Sequence, residues 1–255
     1  MFFGIKDLFT TINLMGGVVA MCFCVDGKPF EAGLAIMLGY LCGDTLDGYV
    51  ARKLGTQNEF GSEFDTIADH TSHVIAPAVV VYTVYKDVGI VPAPWDKILA
   101  IALAGSLILG VSVRHARNIV KPVSYKGVWV GLPRSVLGFI AIAYCNARLA
   151  PHAPGGWWLG VLLIPFMGIA TLTYWPFPSH HLVKGLRPAA KVAAMIAFLS
   201  SIAFGFLKRE FFFDLLWFWM VGYCLSAWMT LNPAERKAYR ETVAAARSLP
   251  QVVKT

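Results

Sequence analysis

Apolar runs long enough to span a bilayer as helices, roughly 20 residues each, recur along the whole chain with only short polar breaks between them. Few folds are open to such a sequence. In hydrocarbon every backbone amide must be paired inside the protein, and runs of this length pair theirs as helices. Composition agrees, since 57% of the 255 residues are apolar, 15% are charged and the mean hydropathy is +0.60, beyond the range of ordinary soluble domains. The expectation is an all-α, polytopic membrane helical bundle with about eight transmembrane helices, over residues 8–25, 30–54, 59–85, 98–120, 128–148, 157–175, 188–207 and 211–231. Residues 1–231 form the membrane-embedded domain, and 232–255, opening on Asn232-Pro233, form a charged cytosolic tail with helical character.

Eight spans put both termini on one side. With that side assigned to the cytosol, only Lys28, Lys86, Lys97, Arg148, Lys208 and Arg209 of the 22 Lys and Arg residues fall on the other. The bias follows the positive-inside rule and predicts N-in, C-in insertion in the cytoplasmic (inner) membrane, with Lys208 and Arg209 fitting least well. No basic n-region precedes the first apolar run, which is expected to persist as a helix. The net charge of +7 reads as loops beside anionic lipid; no basic patch with interleaved aromatics suggests nucleic acid. Cys22, Cys24, Cys42, Cys145 and Cys224 lie in apolar runs without disulfide or zinc spacing.

Four carboxylates break the apolar pattern: Asp44 and Asp47 in the second helix, Asp65 and Asp69 in the third. Each costs about 2.5–3.5 kcal/mol at the centre of a spanning helix, so they are expected to face the bundle interior. Asp44 and Asp47 are three residues apart and Asp65 and Asp69 four, so each pair shares one helix face. A polar break at Lys53–Asn58 makes the two helices antiparallel neighbours, and the pairs then converge in one cavity open to the cytosol. Clustered carboxylates repel unless cations intervene, and hard divalent ions, Mg²⁺ or Mn²⁺, are the natural occupants. Gly48 and Ala51 lie beside this face, leaving room for a ligand, and Arg52 adds a cation near a diphosphate.

From Asp44 to Asp69 the sequence reads D-x2-D-G-x2-A-R-x8-G-x3-D-x3-D, which resembles the signature of the CDP-alcohol phosphotransferases. The resemblance implies a six-helix catalytic core, a homodimer, and two divalent metal ions held by Asp44, Asp47 and Asp65. Asp69 is then the general base, close to the second metal. Gly48, Ala51 and Gly61 line the cytidine pocket and Arg52 reaches a phosphate. The implied reaction moves the phosphatidyl group of a CDP-lipid onto an alcohol and releases CMP.

The acceptor is read from weaker features. Thr10-Thr11-Ile12-Asn13 with Gly17, then Ser72, Ala76-Pro77-Ala78, Arg114-His115-Ala116-Arg117-Asn118 and Gly131-Leu132-Pro133, resemble the phosphatidylserine synthase branch, while His70 and His73-Val74 depart from it. That branch implies CDP-diacylglycerol and L-serine as substrates. Arg114, Arg117 and Asn118 are candidates for the serine carboxylate, because guanidinium groups pair bidentately with carboxylates. Lys126 and Arg134 are candidates for the CDP-lipid phosphates. His70 and His73 are expected to be helix-lining histidines satisfied by a neighbour. Two alternatives stay open: another acceptor (glycerol 3-phosphate, inositol phosphate or an amino alcohol), or a divalent-cation transporter, whose pathway also needs buried acids.

Overall fold

The computed structural model describes residues 4–46, 58–179, 196–197, 200–201, 203–205, 207–227 and 231–248. The chain is mostly helical. Helix α1 (Ile5–Val25) is followed by α2 (Pro29–Gly39), which runs on through a wide π-helical turn at Tyr40–Asp44. Helix α3 (Glu59–His70) starts on Asn58, whose side chain accepts from the Gly61 amide at 2.7 Å, and continues through a second π-turn (Thr71–Ile75) into α4 (Ala76–Tyr85). Helices α5 (Trp95–Val120), α6 (Arg134–Asn146), α7 (Gly156–Leu172) and α8 (Phe212–Ser226) complete the bundle, and α9 (Pro233–Ser248) follows it. Residues 47–54 of the expected second helix and most of the expected seventh lie outside the described residues.

Small residues let the helices approach closely. A Cβ on Gly16 would sit 2.7 Å from the Gly39 Cα, and one on Gly43 would sit 2.5 Å from the Asn13 amide, so α1 lies backbone to backbone along α2 and its π-turn. This crossing carries Asn13 next to the acidic residues. The core gathers Ile36, Val74, Val80, Leu107, Ile142 and Ile164, all nearly free of exposure. The outward faces are also apolar: Leu109 is 66% exposed, Leu162 72% and Phe218 67%. Two described helices, Lys6–Val25 and Trp95–Val120, are long and apolar enough to cross a membrane.

The fifth expected helix needs correcting. Residues 128–130 are not its first turn: Val128–Val130 form strand β1, paired antiparallel with β2 (Pro176–Pro178), with Trp129 opposite Phe177. Gly131 has φ +75, and a Cβ there would collide with the Thr171 carbonyl, so the chain turns at this glycine and α6 starts only after Pro133. The sixth helix likewise ends at Leu172, short of Trp175, because Pro176–Pro178 are used for pairing. Helix α9 matches the helical character expected of the tail, yet it is docked: Tyr239 and Val243 are buried with Val128, Val130 and Leu231.

At the opposite end of the bundle, Arg209 meets Glu31 at 3.0 Å and Arg148 meets Glu210 at 2.6 Å. Of the two basic residues that fit the charge pattern least well, Lys208 and Arg209, Arg209 thus has an acidic partner.

Candidate active site

Three of the four signature aspartates share one cavity of about 650 Å³: Asp44 from the π-turn after α2, and Asp65 and Asp69 from α3. Asp47, with Gly48, Ala51 and Arg52, lies outside the described residues. Each π-turn adjoins an acidic position. In the first, Thr45 donates from its hydroxyl to the Tyr40 carbonyl five residues back at 3.2 Å. Such a turn takes in an extra residue and re-aims the side chains around it, here Asp44.

Asp69 is held at both of its oxygens. Its Oδ1 accepts from Asn13 Nδ2 at 2.9 Å, its Oδ2 accepts from Arg134 Nη2 at 2.5 Å, and His73 Nδ1 lies 3.4 Å from Oδ1. The residue is 7% exposed. A charge this well buried needs partners, and α1 and α6 each supply one, with the His73 ring of the second π-turn close by. Asn13 had entered the sequence reading only as a landmark of α1; its position on the same face as Thr10 and Gly17 was the signal that it points into the bundle.

The candidate acceptor residues separate. Arg114 lines the cavity and donates to the Val130 carbonyl at 3.3 Å, and Asn118 lines it too. Arg117 is not part of the lining. Its Nη1 donates to the Leu172 carbonyl at 2.6 Å and its guanidinium lies 4.7 Å from the centre of the Tyr174 ring, which makes it a brace between α5 and the end of α7. Of the two candidate phosphate residues, Arg134 lines the cavity, whereas Lys126 is exposed in the turn before β1 and is not in the lining. Gly61 faces the buried Lys6 and Asp7 of α1, where a Cβ would strike the Lys6 ammonium.

The cavity wall includes Val123, Ser124, Tyr125 and β1, and α9 supports this wall from behind. The Tyr125 and Tyr239 rings meet edge to face at 5.4 Å, and the Tyr125 hydroxyl donates to the Glu235 carbonyl at 3.4 Å. Tyr239 donates to the Tyr174 carbonyl at 2.7 Å. Burial pushes its phenol up to about 12, so it remains a donor at neutral pH.

The donor set suits a divalent cation. One ligand atom each from Asp44, Asp69 and His73 lie within 4.8 Å of one another, and Asp65 opens onto the same space. A profile of the CDP-alcohol phosphatidyltransferase family matches residues 4–175, more than half of the chain. The chain belongs to this family. Its matched segment runs from the start of α1 to the residue before β2 and so contains every acid of the cavity.

Relatives of this CDP-alcohol phosphatidyltransferase include a CDP-diacylglycerol–serine O-phosphatidyltransferase of Mycobacterium leprae, 26% identical over 201 residues, which cover 76% of this chain and 64% of that one. The enzyme of the same name from Mycobacterium bovis is 25% identical over 226 residues, 86% of this chain and 75% of the other. An archaetidylserine synthase of Methanothermobacter thermautotrophicus is 33% identical over 88 residues, 34% of this chain and 37% of that protein. The chain thus spans a little under two thirds of the Mycobacterium leprae protein.

Proposed function

We propose that the protein is a phosphatidylserine synthase of the membrane, transferring the phosphatidyl group of CDP-diacylglycerol to the hydroxyl of L-serine with release of CMP. The observation that carries this reading is the convergence of Asp44, Asp65 and Asp69 with Arg114 and Arg134 in one cavity of a chain that belongs to this family. The serine acceptor is supported by the names of the two mycobacterial relatives and the archaeal one.

In this reading Asp44, Asp47, Asp65 and Asp69 hold two divalent ions, Mg²⁺ or Mn²⁺. When bound, these ions neutralise the diphosphate of the CDP-lipid and the leaving CMP. Asp69 takes the proton of the serine hydroxyl as its oxygen attacks the phosphorus next to the diacylglycerol, and the bond from that phosphorus to the oxygen of CMP breaks. Arg134 moves from Asp69 toward the phosphates. Arg114 and Asn118 receive the serine carboxylate, while Gly48, Ala51 and Arg52 serve the nucleotide. The unit working in this way is an eight-helix bundle of residues 1–231 in the cytoplasmic membrane, N-in and C-in, with its cavity facing the cytosol and a homodimer as its assembly. Residues 232–255 form its cytosolic tail.

The test is CMP release by purified protein with Mn²⁺ or Mg²⁺ and CDP-diacylglycerol, given L-serine, glycerol 3-phosphate, inositol phosphate or an amino alcohol in turn. Serine is expected to give the fastest release. CMP formed with another acceptor and not with serine would overturn the acceptor, and Mn²⁺ flux into vesicles without CMP from any acceptor would overturn the reaction.

The two arginines of α5 should then differ. Arg114→Ala is expected to raise the serine KM by about 10-fold or more, the size of one lost charge-assisted interaction, with a much smaller change in the KM for CDP-lipid. Arg117→Ala should instead lower the apparent Tm and leave the ratio of the two KM values unchanged. Equal KM effects in the two variants would refute this division.

A further inference from the structure

His73 is placed unlike a histidine that merely lines a helix. It lies one turn beyond Asp69, within the Thr71–Ile75 π-turn, and its side chain is 0% exposed. The rings of Tyr40 and Phe139 flank it, each with its centre 5.5 Å away, and hold it edge-on. Neither ring nitrogen has a hydrogen-bond partner among the described residues. Nδ1 comes within 3.4 Å of Asp69 Oδ1 without the alignment of a hydrogen bond. Buried polar atoms are rarely left idle, and one that is calls for a ligand or a role.

The neighbours suggest the ligand. One donor atom each of Asp44, Asp69 and His73 lie within 4.8 Å of one another. Donors bonded to one ion at roughly 2.0–2.2 Å lie about 3 to 4.4 Å apart, so a closure of a few tenths of an ångström would let all three share it. We propose that His73 is a metal ligand, adding an imidazole nitrogen to the carboxylate oxygens of Asp44 and Asp69. This rests on the metal-dependent reading above and deepens it. Mg²⁺ favours oxygen donors and its own water, whereas imidazole suits the transition metals. The site therefore prefers Mn²⁺ to Mg²⁺.

The experiment uses the full chain in detergent, with Mn²⁺ or Mg²⁺ alone as the probe. Calorimetry gives the affinities, and pulsed electron paramagnetic resonance of bound Mn²⁺ reports directly coordinated imidazole nitrogen. The wild type is expected to show imidazole coupling. In His73→Phe, a ring that fits between Tyr40 and Phe139, the coupling disappears and Mn²⁺ binding weakens by about 10- to 100-fold, while Mg²⁺ binding changes by less than about 3-fold. His73→Asn, which retains an oxygen donor, also loses the coupling but less of the affinity; it serves if the phenylalanine variant does not fold.

Absence of imidazole coupling in the wild type would overturn the assignment, as would coupling that survives in His73→Phe and is lost in His115→Phe, a histidine that lines the cavity. Equal weakening of Mn²⁺ and Mg²⁺ would do the same, because it would mark His73 as a support for Asp69 alone. The two readings fail separately: CMP release from serine by a wild type without the coupling sinks the ligand and spares the reaction. Coupling without CMP from any acceptor does the reverse.

Discussion

Asp69→Asn is expected to lower turnover by about 10³-fold, within the range that general-base catalysis supplies, while CDP-lipid binding is kept or improved. The sign of the binding effect comes from the geometry. Both Asp69 oxygens accept hydrogen bonds, one from Asn13 and one from Arg134. An asparagine amide cannot accept at both positions, so one of its N–H groups would face a donor and the ion pair with Arg134 would be lost. The freed guanidinium then stands in the cavity, available to the diphosphate. Turnover is to be measured as CMP release at saturating serine, and binding as displacement of a labelled CDP-lipid. Turnover within 10-fold of wild type would exclude Asp69 as the base; a large loss of CDP-lipid affinity would show that it holds the donor instead.

Arg134→Ala should have a large effect of a different kind. Arg134 and Asp69 are both mostly buried, with side chains 24% and 11% exposed, and removing one partner of a buried ion pair costs about 3–5 kcal/mol because the other charge is left uncompensated. A divalent ion bound at the acidic cluster would supply the missing charge. The variant is therefore expected to show a marked drop in apparent Tm in chelator and a much smaller drop with Mn²⁺ or Mg²⁺ present, since an ion that binds only the folded form stabilises it. Its KM for CDP-lipid should also rise, by about 10-fold or more for one charged phosphate contact. A loss of Tm that is the same with and without metal would mean that Arg134 does not share Asp69 with a cation.

The acidic site was the most legible part of the chain because charge in an apolar helix is costly and therefore informative. The spacing from Asp44 to Asp69 needed no knowledge of packing to suggest two helix faces meeting, and the cavity does unite Asp44, Asp65 and Asp69. The end of the helix at Tyr85 was legible in another way, as an apolar run from Val74 that stops at Lys86-Asp87. The strand at Val128–Val130 was not. Its apolar residues look like the first turn of α6, and only pairing with Pro176–Pro178, remote in sequence, makes them extended. Local pattern cannot distinguish a short apolar strand from the beginning of a helix.

Arg114 and Arg117 illustrate the same limit within one helix. Three residues apart, they share a broad face, and spacing gave them one role. Their neighbours divide them, since Arg114 meets Val130 at the cavity while Arg117 is drawn to the Leu172 carbonyl and the Tyr174 ring. The tail was readable as a helix, but its docking depends on Tyr239 and Val243 finding a hydrophobic surface that exists only once β1 is formed.

By itself, then, the sequence determined a mostly helical, strongly apolar chain, its family, and the acids that converge on one cavity. These follow from properties carried by the residues themselves: hydrophobic length, the cost of buried charge and a fixed spacing. The tertiary structure alone decided that Arg134 and Asn13 hold Asp69, that His73 faces the same acids, and that a strand pair backed by α9 closes one wall of the cavity. Each of these depends on contacts between segments far apart in the chain, and two π-turns shift the phase of the helices at the acidic positions in a way that local periodicity does not record.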